Sequence, residues 1–149
     1  MGSCYMNDDL LDVNEWIRYA QEDYGSAVTL EKASNPYSPR IVCTQCQQAA
    51  EKILKAYTIA KEGTRIKEHD LVKLLKQCMR HSSDFDTLDA ACTALNAYAK
   101  ATRYPSNMDL TDSDMNHALD HAHKILEFTK SKLKEMGHEA AVRPHRPHE

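Results

Sequence analysis

Residues 38–63 read SPRIVCTQCQQAAEKILKAYTIAKEG. Val42, Cys46, Ala49, Ala50, Ile53, Tyr57 and Ala60 recur at steps of three and four, which stacks them on one face of a helix. Ser38-Pro39 supplies a cap and then a proline at the first helical position, where its missing N–H costs nothing. Gly63 stands where a left-handed residue would close the helix.

The same period extends in both directions. Upstream, Val13, Trp16, Ile17, Ala20, Tyr24, Ala27 and Leu30 predict a first helix capped by Asp12 or Asn14 and fading at Ser34-Asn35-Pro36. Downstream, a charged connector over 64–68 leads to Leu71, Leu74, Leu75 and Cys78, a short amphipathic helix that begins near His69-Asp70 and breaks at Ser82-Ser83-Asp84. A fourth helix carries Leu88, Ala91, Cys92, Leu95, Tyr98, Ala99 and Thr102, and it stops at Arg103-Tyr104-Pro105 because the residue before a proline is pushed out of the α region. Thr111 and Asp114 resemble a capping box that opens a last helix through Met115, Leu119, Ala122, Leu126 and Leu133 to Gly137. No run alternates polar and apolar residues as a strand does. The expectation is an all-α bundle of four long helices and one short one over residues 10–136. Residues 137–149 carry prolines, arginines and histidines but almost no large apolar side chain, so they are expected to form a mobile tail.

Composition agrees. At 149 residues the chain has the size of one domain, and 42% hydrophobic with 28% charged residues suits an ordinary soluble protein. Only 4 Gly and 5 Pro disfavour a turn-rich sandwich. A net charge of −3 excludes a global basic field, so any polyanion site must be local. Neither a secretion signal nor the ~20 apolar residues of a membrane span is present, and a cytoplasmic location is expected with no membrane partner.

Several side-chain groups invite a chemical reading. Cys43-Thr44-Gln45-Cys46 is a CxxC, but both thiols fall on the core stripe and no second pair of ligands follows, so packing is preferred to zinc or redox chemistry. His117 and His121 stand one helical turn apart with His123 nearby; HALDH lacks the glutamate of HExxH, and a solvated face is preferred to a metal site. Glycines at 2, 25, 63 and 137 are too scattered to cradle a phosphate. No cofactor and no metal are expected. Lys52, Lys55, Lys61, Arg65 and Lys67 line the second helix and its connector, with Arg103 closing the fourth. Arg103-Tyr104-Pro105 joins a guanidinium, a ring and a rigid turn, which can clamp a base or phosphate or simply cap a helix end.

These residues together resemble the HEPN family of small helical prokaryotic proteins. The likeness rests on Trp16, Ala20, Asp23 and Ala27; on CQQAAEKILKA over 46–56; on Gly63; on His69-Asp70-Leu71 with Leu74-Leu75; and on Arg103-Tyr104-Pro105. The resemblance implies an up-and-down bundle of four long helices plus a shorter one, usually a homodimer, often found beside a minimal nucleotidyltransferase as a toxin and antitoxin pair. Many members are metal-independent ribonucleases, with an Arg followed after four to six residues by a His. Here the first histidine after Arg103 is His117, Arg65 and His69 are too close, and the formal match of Arg143 with His148 falls in the tail. The expectation is therefore a binding and assembly protein for a nucleotide, RNA or a nucleotidyltransferase. Its contact residues would be Gln48, Lys52, Lys55, Arg103 and Tyr104, with Glu51 pairing with Lys55 along the helix. The alternative is a ribonuclease built from Arg103 and His117.

Overall fold

The computed structural model describes residues 12–33, 38–103 and 109–142. Among these residues five α-helices run in order: α1 Val13–Lys32, α2 Ser38–Glu62, α3 Leu71–Met79, α4 Asp89–Arg103 and α5 Asp112–Glu135. A 3-10 helix, Ser83–Leu88, joins α3 to α4. Four helices are long and α3 is short, and among the described residues there is no strand. No helix among them is long and apolar enough to cross a membrane.

The helix ends follow local chemistry. Asp12 takes the first cap, its Oδ1 accepting from the amides of Asn14 and Glu15 at 3.1 and 3.3 Å. Asp70 caps α3 through the Lys73 amide, and Thr111 with Asp114 completes the expected reciprocal box. Gly63 adopts φ 69° and returns its N–H to the Ile59 carbonyl, so the connector can leave α2 at a sharp angle.

α2 is the central element and packs on every other helix, most extensively on α1 and α5. All of its expected stripe is buried except Ala60, which is partly covered. The burial goes further than one stripe, because Leu54, Ala56 and Ile59 are enclosed as well. A helix surrounded on all sides loses its wet face, and this is why Glu51, Lys55 and Thr58 lie inside. Cys43, Cys46, Cys78 and Cys92 are reduced and fully enclosed. Burial pushes the thiols of Cys43 and Cys46 up to about 12, which disfavours the thiolate that zinc binding or disulfide exchange requires.

The 3-10 helix contributes Phe85 and Leu88 to the core. Phe85 packs between Tyr57 of α2, tilted at 54°, and Phe128 of α5, edge-on at 76°, with ring centroids 4.5 and 5.1 Å away. Of the expected tail, residues 138–142 run back along α1. The Ala141 amide donates to the Asn14 carbonyl at 2.9 Å and the Glu139 amide to Asn14 Oδ1 at 3.2 Å. Asn14 thus anchors the C-terminal strap while Asp12 does the capping. Residues 143–149, with Arg143 and His148, lie outside the described residues.

Candidate functional site

The polar residues of α2 gather around one buried carboxylate. Glu51 is 7% exposed and Lys55, one turn later, is 1% exposed. Lys55 Nζ donates to Glu51 Oε2 at 2.9 Å, and the amide of Gln47, one turn earlier, approaches Glu51 Oε1 at 3.4 Å. Gln48 is half-buried and donates to Gln47 Oε1 at 3.2 Å. From the connector, His69 presents Nδ1 to Glu51 Oε2 at 2.9 Å although its side chain is 65% exposed.

Burial by itself raises the Glu51 carboxyl, but hydrogen bonds from His69 and Lys55, with the charge of each, hold it below the ordinary carboxylate range. Against an ionised Glu51, Nδ1 is the ring nitrogen that donates. The expected Glu51–Lys55 pair is present, but as a buried contact rather than a solvated helix pair. Its partner-loss penalty is accordingly several kcal/mol rather than the few tenths typical of a helix surface.

The segment behind His69 is held from the opposite side. Asn96 of α4 accepts from the Leu71 amide at 2.9 Å and donates to Asp70 Oδ1 at 3.0 Å. His69-Asp70-Leu71 is therefore pinned between α2 and α4. Asn96, like Gln47, was not singled out from the sequence. An asparagine within a helical run gives no periodic signal, and its partners come from 25 and 26 residues away in the chain.

Lys52 faces away from this cluster. Its ammonium pairs with Asp23 of α1, so consecutive residues of α2 serve two different places: Glu51 the buried cluster and Lys52 the α1–α2 groove. That groove opens into a cleft of about 580 Å³ whose walls include Trp16, Tyr19, Lys52 and Arg65.

Arg103 is the last residue of α4; its side chain and all of Tyr104 lie outside the described residues. His117 is on the exposed side of α5, and His121 one turn further is half-buried. Burial, assisted by His117, pushes the His121 imidazole below its ordinary value. His123 lies against the Tyr24 ring at 5.7 Å between centroids. Among the described residues no three His, Cys, Asp or Glu side chains are grouped so as to hold a metal ion.

The bundle is thus centred on one helix that carries a buried Glu–Lys pair, reached by the histidine of a pinned HDL segment from the connector. The chain belongs to the HEPN domain family, whose profile matches residues 13–133. Its structure is similar to the crystal structure of TT1696 from Thermus thermophilus, with a TM-score of 0.71 and 27% identity over 80% of this chain and 97% of that one. It also shares its fold with ST0689, an archaeal HEPN homologue, at a TM-score of 0.62 and 21% identity over 81% of this chain and 97% of that one. No curated protein matches the chain.

Proposed function

We propose that this HEPN protein binds and assembles without cutting: a homodimer that recognises a nucleotide or RNA, or a nucleotidyltransferase partner of the toxin and antitoxin kind. The observation that carries this is the placement of its histidines. Metal-free RNA cleavage needs a base and an arginine within reach of the same phosphate. Arg103 closes α4, and the first histidine after it, His117, stands inside α5 on its exposed side. His69 and His81 each face a buried or half-buried carboxylate, Glu51 and Glu62, at 2.9 and 2.8 Å.

Lys52 and Gln48 remain open to solvent in part and suit a ligand contact, whereas Lys55 is enclosed and holds Glu51. Arg103 and Tyr104 complete the proposed contact set at the end of α4.

Incubating the purified protein with mixed RNA and no added metal is expected to leave the RNA intact. Cleavage that disappears in Arg103→Ala and His117→Ala would instead make the protein the ribonuclease of the alternative.

A further inference from the structure

The segment that follows α5 is aimed at α1 by its own turn. The helix ends in a Schellman motif, in which the His138 amide donates to the Leu133 carbonyl and the Gly137 amide to the Lys134 carbonyl, both at 2.9 Å. Gly137 stands at φ 87° with open space where a side chain would point, so the glycine is required by backbone conformation and not by crowding. The exit direction is fixed by these contacts, and residues 138–142 are sent back to the first turn of α1.

One residue holds them there. Asn14 accepts the Glu139 amide on Oδ1 and the Ala141 amide on its main-chain carbonyl, whose two lone pairs can serve helix and strap together. Ala140, between those two amides, packs against the core, but Glu139 is exposed and Val142, the strap's one large apolar side chain, is 90% exposed. Two hydrogen bonds and one alanine methyl must therefore offset the entropy of ordering the segment. The two sides nearly balance, so the held and released forms lie close in free energy. The helices differ, because each buries an apolar face.

The strap also closes off space. His138, Glu139 and Ala140 form one side of a groove of about 390 Å³, and the facing walls include Gln21 of α1 with Ser131 and Lys134 of α5. That volume lies within the range of sites that take small molecules, so the position of the strap decides whether the groove can be used. We propose that residues 139–142 are a latch, which opens at Asn14 while the helices stay folded and so gates the α1–α5 groove. The pivot lies just after His138, whose amide remains in the Gly137 turn.

Amide hydrogen exchange of the full chain, followed residue by residue by NMR, tests the latch. The Glu139 and Ala141 amides are expected to be protected about tenfold relative to a free peptide, and to exchange far faster than the core amides of α2 and α5. Asn14→Ala, which removes the side-chain acceptor, and Ala140→Asp, which lifts the strap without touching α1, are each expected to abolish that protection at both amides together. Protection of His138 and of the helices is expected to be unchanged in both variants. The resonances of Gln21 and Ser131, which line the groove, are expected to shift in both.

Equally slow exchange of strap and helix amides, which means that the strap opens only when the bundle unfolds, overturns the proposal. A Glu139 amide that is unprotected in the unaltered chain does the same, as does protection that survives both variants. Release of Glu139 without Ala141 would make the two contacts separate and not one latch. If Asn14→Ala loosens α1 itself, Ala140→Asp decides: release of the strap over intact helices supports the latch, and lost helix protection there overturns it. Unmoved Gln21 and Ser131 resonances on release would contradict gating of the groove.

Discussion

Glu51→Ala is expected to destabilise the protein by about 3–5 kcal/mol, read as the urea midpoint at constant slope. The variant leaves the Lys55 ammonium, 1% exposed, without its carboxylate, and an uncompensated buried charge must shed its proton or draw water into the core. His69 loses its anchor too, but it is mostly exposed and adds less. Replacing both partners, Glu51→Leu with Lys55→Met, removes the orphaned charge and is expected to recover most of the loss. Recovery in the double variant separates a buried pair from a general sensitivity of α2 to substitution.

The same carboxylate sets a direction with pH. Glu51, Glu62 and Asp70 are all held below the ordinary carboxylate range. Hydrogen bonds overcome burial at Glu51, the Gln77 amide leads at Glu62, and the Lys73 backbone amide leads at Asp70. A carboxylate depressed in the folded state contributes stability that is present above its unfolded pKa, about 4.3 for Glu, and is lost as pH falls through the folded value. Stability is therefore expected to be flat above about pH 5 and to fall below about pH 4, with a shallower fall in Glu51→Ala.

Phe85→Ala is expected to cost a further large amount, about 3–5 kcal/mol, or roughly 10–15 °C in thermal midpoint. Phe85 is fully enclosed between Tyr57 and Phe128, so truncation opens a hole that three separate elements must close. Phe85→Leu retains most of the volume and is expected to cost less than half as much. Equal losses in the two variants would show that the ring–ring contacts, not volume, hold the joint between α3 and α4.

The helices and their buried faces were legible because each depends on a 3.6-residue period or a local cap. The capping box at Thr111 and the left-handed Gly63 need only a few neighbouring residues, and both occur as read. Phe85 was hidden for a related reason. It follows the period of three of a 3-10 turn, inside a stretch whose serines and aspartates mark a break. Glu51 and Lys55 read as a surface pair because periodicity finds one stripe and cannot count how many helices surround it. The Trp16–Arg65 meeting was likewise out of reach. Trp16 belonged to an apolar stripe and Arg65 to a charged connector, and only antiparallel packing of α1 on α2 with the Gly63 turn brings them together.

The most direct test of binding without cleavage is a single equilibrium experiment. Labelled single-stranded RNA is dialysed against the protein in a chelating buffer, and the bound fraction is recovered and sized. Saturable binding with full-length RNA recovered is the predicted result; shortened RNA that accumulates with time, and no longer does so after Arg103→Ala, would contradict it.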